Sequence, residues 1–159
     1  MKKLIYEDST VAFVTIAAQT CLLIEQTAEH EREVWREQML RMLPVLYLRT
    51  RLLEPGDTML EEEPQRFVTE EDSNFALAGM RNLLGSDDAY LDIYVEQGVY
   101  TDEIQTAYIS EGLADIYQDL KDFISVFQLG MNVTMNDSLY VCKEHFAEFW
   151  GQRLVNTMR

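Results

Sequence analysis

The sequence has few of the residues that break or cross-link a chain. It contains two cysteines, three prolines and seven glycines among 159 residues. Cys21 and Cys142 each lie in an apolar stretch and cannot make a disulfide framework, so we expect reduced core residues. Scarce proline and glycine leave long uninterrupted segments, which favours helices. Because 47% of the residues are hydrophobic, the chain can bury a core, and we expect residues 1 to 159 to form one helical domain.

Histidine is equally scarce, with only His30 and His145. A di-iron bundle needs Glu-x-x-His pairs on two helices, and no such pair occurs. Cys142 and His145 stand one helical turn apart, as a zinc site would begin, but no second pair completes it. Nucleophile motifs of the Gly-x-Ser-x-Gly type and glycine-rich phosphate loops are missing as well. We therefore predict no catalytic residue, no metal and no cofactor.

Basic residues are nearly missing from the middle of the chain. The net charge is −15, and residues 54 to 103 contribute −12 of it, with fourteen acidic residues against Arg66 and Arg81. A surface this acidic repels nucleic-acid phosphates and anionic lipid, so neither is expected as a direct partner. It would attract basic proteins, polyamines or divalent cations. The alternative, that the charge serves only solubility, stays open.

An apolar run at residues 11 to 24 follows Lys2 and Lys3, in the manner of a signal peptide. Glu7 and Asp8 separate the lysines from the run, and polar residues interrupt it. The run is also shorter than the roughly 18 residues that span a membrane. We therefore expect a buried first helix in a cytoplasmic protein, and no signal or membrane anchor.

Apolar residues at helical spacing predict three helices in the first half of the chain. The first runs from near Ser9 to Thr27, and the third opens at Thr69, where a capping box with Asp72 is expected, and ends at Gly85. The expected inward stripes of the first and third helices are Val11, Val14, Ala18, Cys21 and Leu22, then Phe75, Leu77, Met80 and Leu84.

The second predicted helix covers residues 29 to 53 and has Pro44 in its middle. Pro44 removes a helical hydrogen bond, so either one helix kinks there or two helices meet. A kink is favoured because Leu43 would be a poor N-cap for a new helix. Residues 42 to 48 are apolar on every side, which predicts burial all round. The expected stripe is Trp35, Met39, Met42, Leu46 and Leu53.

Residues 86 to 98 are ambiguous between a short helix and an extended segment. A fourth helix is predicted to open at Thr101 and end at Gly130, and Asn132 can cap a final helix. A tight turn between them would make an antiparallel hairpin. We find no convincing β alternation, so the predicted fold is all-α, a compact bundle of about five helices. The last two stripes are Ile109, Leu113, Ile116, Leu120, Phe123, Ile124 and Phe127, then Met135, Leu139, Cys142, Phe146, Phe149 and Trp150.

Four stretches of the sequence form a recognisable set. Residues 113 to 123 read Leu-Ala-Asp-Ile-Tyr-Gln-Asp-Leu-Lys-Asp-Phe, and residues 150 to 155 read Trp-Gly-Gln-Arg-Leu-Val. Together with residues 43 to 48 and the pair Asn136 and Asp137, they resemble a bacterial family, domain of unknown function 5063. The resemblance implies a compact helical domain in a bacterial cytosol. It implies no activity and no site residues.

The acidic middle third supplies the candidate partner-binding residues. Residues 57 to 68 read as an exposed acidic loop, and the helix after it opens with further carboxylates. Spread over a surface, these groups would hold a basic protein. The candidates are Glu61, Glu62, Glu63, Glu70 and Glu71.

A row of four carboxylates follows one side of the fourth predicted helix: Glu111, Asp115, Asp119 and Asp122. Paired carboxylates can do acid/base chemistry or bind a hard cation. Such a row at helical spacing is more often a solvated face. Asp119 is also expected to meet Lys143 across the helical hairpin.

Arg153 continues the inward stripe of the final helix one turn beyond Phe149, which predicts a buried or half-buried guanidinium. A buried arginine needs a carboxylate, since an unpaired buried charge costs on the order of 3 to 5 kcal/mol. Glu103 and Glu111 are the acids expected opposite it. The pair would fix the helix register; a ligand-binding arginine and an arginine that extends its head group into water are the alternatives.

The sequence therefore favours a non-enzymatic interaction module for a basic protein partner. The alternative is a small-molecule- or cation-binding helical bundle that uses carboxylates of the fourth helix. The first hypothesis predicts carboxylates spread over a surface. The second predicts that they converge in a pocket with strongly shifted pKa values.

Overall fold

The computed structural model describes residues 8–54, 66–96, 99–129 and 132–159, and it confirms the helical bundle. The final two predicted helices form an antiparallel hairpin, and one two-stranded sheet is added to the bundle. The elements are α1 (Asp8–Glu25), a 3-10 turn (Thr27–Glu29), α2 (Arg32–Arg51), α3 (Glu70–Leu84), a second 3-10 turn (Gly85–Asp88), β1 (Ala89–Glu96), β2 (Val99–Tyr108), α4 (Ile109–Gln128), α5 (Asn132–His145), a π-helical turn (Phe146–Trp150) and α6 (Gly151–Met158).

Helix α1 packs against α2 and α4, but with a different face from the predicted one. Phe13 and Cys21 are buried, whereas Val11, Ala18 and Leu22 are exposed. The prediction was wrong for these three residues because nearly every position of α1 is uncharged, so composition does not distinguish its faces. By length and composition α1 would also pass as a membrane-spanning helix, a test that the core helix of a soluble protein meets too.

Helix α2 runs without interruption through Pro44, so one helix, and not two, occupies this stretch. The prediction that residues 42 to 48 are buried all round was wrong, since Val45 and Leu48 are exposed while Leu43 and Leu46 are buried. The C-terminal end of α2 is closed by another helix. Lys143 of α5 donates hydrogen bonds to the carbonyl oxygens of residues 51 and 53, where a cation suits the helix terminus.

Helix α3 begins and ends as predicted. The Thr69 hydroxyl accepts a hydrogen bond from the Asp72 amide, and the Asp72 carboxylate accepts one from the Thr69 amide, each at 3.1 Å. Gly85 ends the helix with a φ of 55°, a left-handed value that a residue without Cβ adopts readily. Its inner face buries Ala76, Met80 and Leu84.

The β-hairpin corrects the predicted start of the fourth helix. Thr101 lies inside β2, and α4 begins only at Ile109. Residues 99 to 108 are rich in β-branched and aromatic side chains, which favour a strand over the helix that a capping threonine suggested. The true cap comes from outside the helix: buried Asp88 accepts hydrogen bonds from the Ser110 amide and hydroxyl, both at 2.7 Å.

Helix α4 is the centre of the bundle and contacts α1, α3, α5 and α6. Leu113, Ile116, Leu120 and Phe123 of its predicted stripe are buried. The final helical segment runs antiparallel to it, so that Asp119 meets His145 while Gly112 meets Thr157.

The π-helical turn changes which side chains of the final segment face inward. After Phe146 the next inward residues are Trp150 and Leu154, whereas Phe149 is exposed. A π turn inserts one extra residue into a helix, so every later side chain is rotated relative to an unbroken α-helix. The predicted inward position of Phe149 was wrong for this reason.

Candidate functional site

Helix α3 presents a continuous exposed face toward solvent. Glu71, Asn74, Phe75, Ala78 and Asn82 are all exposed and recur at helical spacing. We call these five residues the α3 face. Its position follows from the capping box, which fixes the first turn, and from the buried inner stripe on the opposite side of the helix.

Phe75 is the apolar centre of the α3 face, with 75% of its surface exposed. The sequence-based prediction placed it in the inward stripe, which was wrong. On a helical wheel Phe75 lies about 140° from Met80, because each residue turns about 100°. The signal was therefore present in the spacing, but the hydrophobicity of phenylalanine outweighed it in the prediction.

Carboxylates surround the start of the α3 face. Glu70 and Glu71 are exposed in the first turn of α3, as predicted for a partner-binding surface. Negative side chains at a helix N-terminus also stabilise the helix dipole, so both residues have a structural role as well. The other three predicted partner-binding residues, Glu61, Glu62 and Glu63, lie outside the described residues.

A groove of about 630 Å³ lies beside the second half of α3. Asn82 of the α3 face lines it, together with Glu31 and Glu33 at the start of α2. Arg32 holds the two helices together: its guanidinium donates to the Leu83 carbonyl at 3.0 Å and to the Asp87 carboxylate at 3.2 Å. The α3 face therefore has carboxylates beside its N-terminal end. At its C-terminal end it adjoins a groove that is lined by further carboxylates.

The row of carboxylates on α4 is divided among separate partners. Asp119 accepts a hydrogen bond from His145 at 2.7 Å, and the predicted contact with Lys143 was wrong. Asp122 accepts from the backbone amides of residues 67 and 68 at 2.7 and 2.8 Å. Asp115 lies 3.9 Å from Arg153. These acids therefore hold neighbouring segments, and within the described ranges no three potential ligands cluster as a metal site.

Arg153 is more exposed than its spacing predicted, and the acid beside it is Asp115. The arginine side chain is 45% exposed, and the guanidinium lies 5.4 Å from the centre of the Phe149 ring. Glu111, one of its two expected partners, instead pairs with Arg81 of α3 at 2.9 Å. The second expected partner, Glu103, has a side chain outside the described part. The extra residue of the π turn rotates Arg153 outward and puts Leu154 into the core in its place.

The two cysteines are free and buried, as predicted. Burial raises the pKa of the Cys21 thiol to about 12 and that of Cys142 well above its ordinary value. Thiolate is the nucleophilic form, so both groups are inert packing residues at neutral pH. Cys142 sits one turn from His145, but that imidazole faces Asp119.

These features define a class: a helical bundle around a central helix, with a β-hairpin inserted before that helix. The chain belongs to the family of domain of unknown function 5063, whose model matches residues 4–159. This confirms the resemblance seen in the sequence. The crystal structure of the Bacteroides fragilis protein BF1032, a structural genomics target, is similar at 42% identity and a TM-score of 0.88, over 98% of this chain and 91% of that one. No curated protein matches the chain.

Proposed function

We propose that this chain is a non-enzymatic interaction module that binds a basic protein through the α3 face. The observation that carries the proposal is Phe75, a large aromatic side chain left three-quarters exposed in the middle of a well-capped helix. Aromatic residues that enter a pocket on a partner supply much of the binding energy at protein interfaces. The rigid helix presents this side chain without further ordering of the backbone.

The charges around Phe75 support a basic partner. Glu70 and Glu71 precede it by about one turn, and Glu31 and Glu33 line the groove at the far end of the face. Such a distribution steers a positively charged partner and rejects acidic ones. Glu61, Glu62 and Glu63 stand shortly before α3 in the sequence and would extend the acidic surface. Two free, buried thiols suit a reducing compartment, which supports the bacterial cytoplasm as the location of the proposed module.

Affinity purification with matched variants tests the proposal. The test variant is Glu70→Gln/Glu71→Gln/Phe75→Ala. The control, Glu144→Gln/Glu148→Gln, removes the same charge from exposed positions outside α3, near the C-terminal end of the sequence. We expect the wild type and the control to retain a basic protein from the native cell, and the test variant to lose it.

Salt provides the second readout of the same experiment. Exposed charges are screened beyond about 8 Å at physiological ionic strength, so the retained protein should elute as salt rises. A partner that is retained equally by the test variant, or whose binding is unchanged from low to high salt, would contradict the proposal. Neutralising Glu61, Glu62 and Glu63 should weaken retention further.

A further inference from the structure

The β-hairpin has an exposed apolar face. Leu91 pairs with Thr106 and Ile93 with Ile104 in the antiparallel register, so these four positions share one side of the hairpin. Leu91 is 68% exposed and Ile104 is 66% exposed. Exposed apolar residues clustered on one side of a sheet mark an interaction surface more often than singly scattered ones.

The opposite side of the hairpin is tied to the end of the bundle. The Arg159 guanidinium after α6 donates to the Asp92 carboxylate at 2.9 Å, and Tyr90 is half-buried on the same side. Gln105, which pairs with Asp92 in the register, is exposed. The side of β1 that carries Tyr90 and Asp92 therefore faces the end of the bundle, whereas Ile104, Gln105 and Thr106 of β2 are all exposed in succession.

Strand β2 consequently has an open outer edge. Among the described residues the sheet has two strands only, in the order β1–β2. An edge strand carries a row of backbone N–H and C=O groups that can pair with another strand. Two strands with an apolar side gain stability when a third strand joins them.

The charge of the hairpin selects the kind of strand that fits. Residues 89 to 108 contain four acidic residues and no lysine, arginine or histidine. One of the acids, Asp92, is already matched by Arg159. A second copy of this chain would bring like charges together at the shared edge, whereas a basic strand would meet opposite ones.

We propose that the outer edge of β2 takes up an extended, basic segment of a partner protein as a third strand. Main-chain hydrogen bonds along β2 would hold the segment. Its apolar side chains, at every second position, would pack beside Ile104 and Thr106 of β2, on the side that also carries Leu91. Its lysines or arginines would offset the net negative charge of the hairpin. The basic class of partner rests on the proposed function, but the hairpin surface is distinct from the α3 face.

A titration with a designed peptide tests this directly. The probe is an octapeptide of alternating lysine and valine, added to the full chain labelled with ¹⁵N. We expect amide shifts confined to the hairpin and slower amide exchange along β2. The same peptide N-methylated at every residue has no backbone N–H to pair along either edge and should not bind. An octapeptide of alternating glutamate and valine should not bind either.

Two variants separate this proposal from the one on α3. Leu91→Thr/Ile104→Thr puts β-branched residues at both strand positions and removes the larger apolar side chains, so peptide affinity should fall about tenfold, with unchanged helix amide shifts as the check on folding. Phe75→Ala should bind the peptide as the wild type does. Equal binding of the N-methylated peptide, shifts on α3 instead of the hairpin, or no binding at all would overturn the strand proposal. Each of these results would leave the capture experiment on α3 to decide the proposed function.

Discussion

At the scale of single residues, Gly112 marks a close approach of α4 and α6. A Cβ built on Gly112 would lie 2.2 Å from the Thr157 hydroxyl oxygen, far inside van der Waals contact. We therefore expect Gly112→Ala to destabilise the fold by about 1–3 kcal/mol, as overpacked cores do, in urea unfolding.

The same substitution in a Thr157→Ala background provides the control. With the hydroxyl removed, alanine should become neutral or gain up to about 1 kcal/mol from its better helix propensity. If Gly112→Ala alone leaves the unfolding free energy unchanged, the two helices do not approach as closely as described.

The folding stability of the bundle depends on pH through Asp115. Burial raises the pKa of this carboxyl above its ordinary value, the nearby Arg153 opposes the rise, and Glu111 and Asp119 add to it. The folded protein therefore holds the proton more tightly than the unfolded chain. The stability from this group is fully present below the unfolded pKa of about 4 and is lost as pH rises through the folded value.

Asp115→Asn is neutral at every pH and should escape that loss. We expect the variant to melt at a higher temperature than the wild type at pH 7, with the difference shrinking at pH 3. The gain should be small, because the carboxylate is 40% exposed and partly screened. If the difference in melting temperature between the variant and the wild type grows as the pH falls, the pKa of Asp115 is not raised in the folded protein.

At the scale of elements, the π turn depends on Gly151. Its amide donates to the Phe146 carbonyl, and a Cβ at this position would lie 2.6 Å from that oxygen and 2.9 Å from the Phe146 ring. Gly151→Ala should thus destabilise the fold by about 1–3 kcal/mol in chemical unfolding. Gln152→Ala, next in sequence and exposed, should stay near wild type. Equal stability of the two variants would refute this role of Gly151.

Elements with capping signals and distinct polar faces could be predicted from the sequence. The limits of α3 followed from Thr69, Asp72 and Gly85, and the central stripe of α4 from its strong contrast between apolar and charged positions. The carboxylate partners of α4 could not be predicted, because they depend on which segments the tertiary fold brings beside each acid. Predicting the outward position of Arg153 would have required knowledge of the π turn, and no residue pattern in the segment indicates that turn.

The hairpin and the α3 face were missed for a different reason. In β2, Thr101 followed by two acidic residues matched the pattern of a helix start. The strand propensity of residues 99 to 108 was weak evidence, because a strand is recognised with confidence only when its partner strand is recognised too. Phe75 was assigned inward because apolar residues usually are. The exposed Phe75 breaks this rule, so the candidate site includes a position at which the sequence-based prediction was wrong.

At the scale of the whole molecule, the net charge of −15 works against the compact state. Raising NaCl from about 0.01 to 0.15 M shortens the screening length from about 30 to 8 Å, so the unfolding free energy should increase. The Glu70→Gln/Glu71→Gln variant, with two charges fewer, should show a smaller increase in the same urea titrations. Stability that falls over this range of salt would contradict the dominance of self-repulsion.

The central position of α4 has a consequence for how the chain is made. Phe13 of α1 packs on Phe123 of α4, with ring centres 5.4 Å apart, although about two thirds of the sequence separates them. On the ribosome, α1 and α2 emerge long before α4, which covers α1, and α6, which contacts α2. The apolar side of the first helical pair stays uncovered for most of translation, so this interval, rather than the finished bundle, is when the protein is most exposed to aggregation and most in need of a chaperone.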